Sequence, residues 1–140
     1  MKAGRIVFLC LAVAGSSLSG CGNGLASVSG TVTLDGQTAG GTDRYGTVSF
    51  YRESGGGVPA IGIIDESGHY VLKTGSQDGI EPGTYLVGVA IKKVTPPASP
   101  GDMPQAKLIS PAKYASVVQS GFKEVVKTGR NSIDFSLSSK

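Results

Sequence analysis

Beyond Gly20 this chain alternates apolar and polar side chains in short runs, and a glycine or an Asp-Gly pair cuts most runs before they can lengthen. That pattern excludes long amphipathic helices, whose apolar positions recur every three or four residues, and describes half-buried strands joined by tight turns. Val28 to Leu34 sets Val28, Val32 and Leu34 on one face, and Asp35-Gly36 ends the run with a pair that tolerates positive φ. Thr47 to Tyr51 turns Val48 and Phe50 inward before Gly55-Gly56-Gly57. Ala60 to Ile64 is expected to insert Ile61 and Ile63, and Asp65-Glu66-Ser67-Gly68 folds it back as a hairpin onto His69 to Lys73, with Tyr70 and Leu72 in the core. Thr84 to Ile91 is the strongest run: Tyr85, Val87, Val89 and Ile91 share a face, and Leu86 and Ala90 make the other face apolar enough for a central strand.

Phe122 to Lys127 and Ser132 to Leu137 flank Thr128-Gly129-Arg130-Asn131 and are expected to form a terminal hairpin, with Ile133, Phe135 and Leu137 inward. Glu124 shares a face with Phe122 and Val126, which places its strand at a sheet edge where the carboxylate stays hydrated. Seven strands of this kind predict an all-β sandwich of two packed antiparallel sheets, and 140 residues leave room for one core.

The first residues obey a different rule. Lys2 and Arg5 precede the apolar stretch Ile6 to Ala14, too short to span a bilayer but of the length found in a secretory leader. Leu18-Ser19-Gly20-Cys21 follows and resembles the lipobox of bacterial lipoproteins at all four places. The resemblance implies a signal peptide over 1–20, cleavage between Gly20 and Cys21, and a diacylglyceryl group on the Cys21 thiol with an acylated new amino terminus. Cys10 leaves with the leader, so Cys21 has no intramolecular partner for a disulfide. One acyl chain holds a protein only marginally, whereas two or three anchor it firmly. Gly22 rather than Asp follows the cysteine, which by resemblance to sorting in enteric bacteria points to the outer membrane of the cell envelope. Residues 21–26 form a tether reaching less than about 20 Å, so the domain is expected to sit close to the lipid.

Removing Lys2 and Arg5 from the 13 basic residues leaves 11 against 10 acidic ones. A nearly neutral domain lacks the cation cluster that nucleic-acid binding requires, so no nucleic-acid partner is expected.

Four further segments carry a family resemblance: Gly30-Thr31-Val32-Thr33-Leu34-Asp35-Gly36, Gly46-Thr47-Val48-Ser49-Phe50, Asp65-Glu66-Ser67-Gly68-His69-Tyr70 and Pro82-Gly83-Thr84-Tyr85-Leu86-Val87. With Pro111-Ala112-Lys113-Tyr114, Ser120-Gly121-Phe122 and Asn131 to Phe135, they make residues 27–140 resemble the carboxypeptidase regulatory-like domain of short bacterial lipoproteins. The resemblance implies a seven-stranded, Ig-like or transthyretin-like β-sandwich that acts as an accessory module without activity of its own. Gln37 to Tyr45 departs from the pattern, being longer than the usual turn and lacking a proline after Asp-Gly.

Catalysis needs a base, a nucleophile or a metal held in a constellation. His69 is the single histidine and reads as a solvated residue at a strand start, and Asp65 and Glu66 read as turn acids rather than calcium ligands. No zinc set is available, and the several histidines and Tyr-Arg-Gly-Ser ending of transthyretin-like ureide hydrolases are missing. No enzyme activity and no cofactor beyond the Cys21 lipid are expected. Residues 94–113, with Pro96, Pro97, Pro100, Pro104 and Pro111, exceed an ordinary hairpin loop. They read first as a stiff polyproline-like crossover covering a sheet edge, and otherwise as a disordered loop or a recognition strip built from Lys92, Lys93, Pro96, Pro97, Lys107, Lys113 and Tyr114. The expected function is a structural or protein-interaction module held at the membrane by its lipid. The alternative is a carbohydrate- or peptide-binding lipoprotein using the 94–113 loop. An envelope protein or a glycan is the partner class, and the residues assign no oligomeric state.

Overall fold

The computed structural model describes residues 24–140. The expected signal peptide, the Gly20–Cys21 junction and the first residues of the tether lie outside them. In chain order the elements are β1 Ser27–Leu34, β2 Gln37–Thr38, β3 Arg44–Arg52, β4 Ala60–Ile64, β5 His69–Thr74, β6 Gln77–Asp78, β7 Gly83–Thr95, β8 Gln105–Leu108, the single helical turn α1 Ala112–Ala115, β9 Phe122–Val126, β10 Arg130–Ser132 and β11 Phe135–Leu137. The fold is all-β, a largely antiparallel sheet curled into a half-barrel. Its strand path runs β10-β1-β5-β4-β3-β7-β8, with β2 and β11 also on β1, β6 on β5 and β9 on β7.

Alternation places the core on the concave face. Val28 and Val32 come from β1, Val48 and Phe50 from β3, Tyr70 and Leu72 from β5, and Tyr85, Val87, Val89 and Ile91 from β7, all buried as expected. β7 is central: it pairs with β3 along Arg44 to Arg52 and carries β9 and β8 on its other side. Asp35 and Gly36 both take positive φ and close the tight β1–β2 turn.

Three expectations are corrected. Ile61 and Ile63 face outward, while Ala60, Gly62 and Ile64 face the core. The reason is volume: β4 lies opposite Phe50, Val48 and Gly46 on β3, and a Cβ on Gly62 would meet Tyr70 Cδ2 at 2.8 Å and Leu72 Cδ2 at 3.2 Å. Phe50, Tyr70 and Leu72 fill the interior there, so the small residues point inward and the isoleucines out.

The terminal segments do not form a hairpin. β9 pairs antiparallel with β7, whereas β10 and β11 pair parallel with β1. The intervening chain therefore crosses the open side of the half-barrel. Asn131 holds that crossing, accepting from Lys127 N at 2.9 Å and donating to Lys127 O at 2.7 Å and Ser27 O at 3.3 Å. Among the described residues β9 pairs only with β7, as an edge position for Glu124 requires; the carboxylate is nevertheless half-buried, and desolvation raises its pKa.

The proline-rich segment is not a crossover between sheets. The last residues of β7 pair with β8 from Lys92↔Leu108 to Thr95↔Gln105, so residues 96–104 form the tip of a hairpin.

Tyr70 connects this architecture to pH. Its hydroxyl donates to Ile133 O at 2.6 Å, and burial, then the charges of Asp134 and Glu124, push the phenol well above its ordinary range. A raised folded-state pKa means that the neutral phenol's contribution is complete below the unfolded value of about 10 and is lost as pH rises above it. Melting temperatures measured from pH 8 to 11 should fall above about pH 10. Tyr70→Phe should start about 1 kcal/mol less stable at neutral pH and show a shallower alkaline slope. An unchanged slope would remove Tyr70 as its source.

Candidate interaction surface

The fold has two distinguishable ends. Ala26 forms a bridge with Ile80, its N donating to Ile80 O at 2.7 Å and Ile80 N returning a bond at 2.9 Å, so the chain is held in the fold from Ala26 onward. Arg52, Gly57, Val58 and Tyr85 line the depression that also contains Leu25. This is the proximal end, where the chain enters. β7 begins there at Gly83 and runs 13 residues, roughly 40 Å at about 3.3 Å each, to the distal end.

The distal hairpin holds most of the expected recognition strip. Lys92, Lys93, Pro96, Pro97 and Lys107 are all exposed on it. Arg44, Lys93 and Lys107 stand at directly opposed register positions across β3, β7 and β8. Such a row of cations repels itself, and Asp43 answers part of it: its carboxylate lies 3.4 Å from Lys93 Nζ and 3.9 Å from Arg44 Nε. The Asp43 carbonyl accepts from Val94 N at 2.7 Å and fastens the base of the hairpin. Beyond it, Pro96, Pro97, Ala98, Met103 and Pro104 line a shallow depression of about 490 Å³, with Asp102 as its charged group.

Lys113 and Tyr114 belong to a different place. α1 covers the edge of β7 between its pairings with β9 and β8. Tyr114 is 9% exposed and stacks on Phe122 with centroids 5.5 Å apart, its hydroxyl accepting from Ser138 N at 3.4 Å. Lys113 Nζ sits 4.8 Å from the centre of the Tyr114 ring. Tyr114 is a packing residue, so of the residues expected in the strip Lys92, Lys93, Pro96, Pro97 and Lys107 lie together on the hairpin and Lys113 and Tyr114 lie apart from them.

Two buried serines at the same edge carry no periodic signal in the sequence. Ser110 Oγ accepts from Ile91 N at 3.0 Å, and Ser120 Oγ donates to Val87 O and accepts from Phe122 N at 3.2 Å. They satisfy backbone groups of β7 and β9 where the β7–β9 pairing ends and before the β7–β8 pairing begins.

The Asp65 turn places a serine, a carboxylate and an imidazole close together without making a relay. Asp65 Oδ1 accepts from Ser67 N, Ser67 Oγ and His69 N at 2.9, 2.6 and 2.9 Å, while His69 Nδ1 lies 3.9 Å from Oδ2. The Ser67 hydroxyl bond, then the His69 N–H, lower the Asp65 pKa. Nucleophilic catalysis needs the imidazole between serine and carboxylate, and here the carboxylate occupies the middle. Among the described residues no group of three His, Cys, Asp or Glu side chains is placed to hold a metal.

The convex face of β4 and β5 carries a second surface. Val58, Ile61, Ile63 and Val71 are 70, 45, 61 and 44% exposed and line a groove of about 560 Å³. Across the sheet, Ile61 and Ile63 face Ser49 and Thr47 of β3, and Val71 faces Ser29 of β1, all too short to cover them.

Set against known protein families the chain matches none, and no curated protein matches it.

Proposed function

We propose that this chain is a non-catalytic lipoprotein of the cell envelope, anchored through Cys21 and presenting the β7–β8 hairpin to a protein partner. One observation carries the reading: the polypeptide enters the fold at Leu25, close behind the lipobox cysteine, and the exposed hairpin lies at the other end of β7. An anchor at one end and a basic, proline-stiffened tip at the other suit a module held at the outer membrane with its tip clear of the anchor. Proline presets the tip backbone, which lowers the entropy lost when a partner orders it.

The same reading assigns residues 27–140 to the carboxypeptidase regulatory-like, transthyretin-like sandwiches. In its support, seven runs remain when β2, β6 and β8 are taken as hairpin ends and β10–β11 as one interrupted strand. Peptide binding is the better-supported alternative, because β8 ends the strand path and leaves one edge free for an added strand. Carbohydrate binding has less support: the tip, residues 96–104, contains no aromatic side chain to stack on a sugar.

Mass spectrometry of the natural protein should find Cys21 amino-terminal and lipid-bearing; an unprocessed terminus or a bare thiol would defeat the anchoring. A photocrosslinker at Met103 should trap one reproducible envelope protein in intact cells, and recovery of glycan alone would favour the carbohydrate reading. None of residues 96–104 is buried, and Thr95 and Gln105 already pair across the base. Replacing 96–104 with Asn-Gly should therefore change unfolding free energy by no more than about 0.5 kcal/mol while abolishing crosslinking from a second photocrosslinker placed at Lys107, which the replacement leaves in position. A large loss of stability would make the tip structural.

A further inference from the structure

We infer that the convex apolar face of β4 and β5 lies against the lipid surface, so that the domain leans on the membrane instead of standing off it. Val58, Ile61, Ile63 and Val71 make the apolar part of this face, Asp65, His69 and Lys73 form its polar rim, and nothing among the described residues covers the four apolar side chains. Monomeric proteins expose isolated apolar side chains freely, but a contiguous set in a groove marks a contact surface.

The lipid is identified as occupant by where the chain enters. Val58 lines both the groove and the depression containing Leu25, so the apolar face begins at the proximal end. Cys21 precedes Gly24 by three residues, which at 3.3–3.6 Å each keeps the cysteine within about 11 Å of the described chain. Acyl chains attached there would hold the membrane at the mouth of this groove. The rim has matching chemistry. Tyr51 is exposed on the convex face of β3 beside the start of β4, and a tyrosine ring with a wet hydroxyl suits the headgroup layer. Gly55, Gly56 and Gly57, all at positive φ with open space around them, carry Val58 outward on a loop that can adapt to a soft surface. Leaning on this face leaves the distal hairpin, at the far end of β7, in the aqueous phase.

The inference rests on the lipid anchor at Cys21, and the test separates the two. The chain contains no tryptophan, so a single introduced one reports alone. The mature lipid-bearing protein is reconstituted into phosphatidylethanolamine–phosphatidylglycerol vesicles with brominated acyl chains, carrying Ile63→Trp, Val58→Trp, Val118→Trp or Met103→Trp. The tryptophans at 63 and 58 should lose the larger part of their fluorescence to bromine, and those at 118 and 103 should keep theirs. Two positions on the groove guard against one variant failing to fold. Equal, weak quenching at all four positions, with Cys21 shown by mass to carry lipid, overturns the leaning geometry and leaves the anchor intact. Shielding of position 63 that grows with protein concentration but not with bromine makes a second copy the occupant and overturns it as well. A bare thiol at Cys21 overturns both readings.

Discussion

Gly30→Ala is expected to cost about 3–5 kcal/mol, most of the stability of a domain at the low end of the ordinary range. Gly30 sits within β1, opposite Tyr70 on β5, and its open side faces the backbone of the carboxy-terminal segment. A Cβ there would lie 1.8 Å from Ile133 O and 2.6 Å from Ile133 C. Backbone cannot swing aside as a side chain can, so the segment between β10 and β11 must move bodily. Several hydrogen bonds go with it: Ile133 N to Ser29 O at 2.9 Å, Tyr70 hydroxyl to Ile133 O at 2.6 Å, and Thr31 N and Oγ1 to Asp134 Oδ1 at 2.8 and 3.0 Å. Each contributes about 0.5–1.5 kcal/mol, and overpacking adds about 1–3 kcal/mol. Urea unfolding should show a lower midpoint with an unchanged slope. Gly129→Ala, at positive φ but in open space, should cost only about 1 kcal/mol. If Gly30→Ala lost no more than Gly129→Ala, the terminal strands would be loosely held and the closure described here would be wrong.

That clash also shows where the sequence stopped being readable. Local signals were legible: the alternation of Tyr85, Val87, Val89 and Ile91 marked the buried face of β7, and Asp35-Gly36 marked the turn that ends β1. Ile61 and Ile63 misled because Ala60-Ile61-Gly62-Ile63-Ile64 is apolar in both phases, and the choice belongs to the volumes of Phe50 and Tyr70 on neighbouring strands. Of the expected turn Thr128-Gly129-Arg130-Asn131 the chain bends at Thr128 and Gly129, while Arg130 and Asn131 already belong to β10, and the strands on either side pair with β7 and β1. Parallel pairing of β10–β11 with β1 joins residues about a hundred apart, and no local motif announces it. At the candidate site, the proline cluster and lysines marked the segment, but Gln105-Ala106-Lys107-Leu108 alternates for only four residues directly behind Pro104, too short a run to stand out as a strand. Tyr114, beside lysine and close to proline, read as exposed because its stacking partner Phe122 lies on another element.

Phe135→Ala is expected to be as damaging as any change in the core, at about 3–5 kcal/mol, because this ring is where the two sides of the half-barrel meet. Phe135 is buried on β11, alongside β1, yet its ring centre lies 5.0 Å from Phe122 on the β7 side, 6.1 Å from Phe50 on β3 and 6.1 Å from Tyr70 on β5. The tilted and edge-on geometries are those aromatic pairs prefer, each contributing about 0.5–1.5 kcal/mol beyond area burial. Truncation removes three such pairs together and leaves a void bounded by three other aromatics, which cannot collapse without shifting strands on both sides. Phe135→Leu refills part of that volume but restores no ring contact, so it should recover roughly half the loss. Amide hydrogen exchange identifies the unit that opens. If Phe135 joins the two edges, Phe135→Ala should lower protection in β1, β5 and β9 together, since each holds a partner of this ring or of its strand. Loss confined to β10 and β11, with the β3–β4–β7 amides and the global unfolding free energy unchanged, would mean that the half-barrel stands without its carboxy-terminal closure.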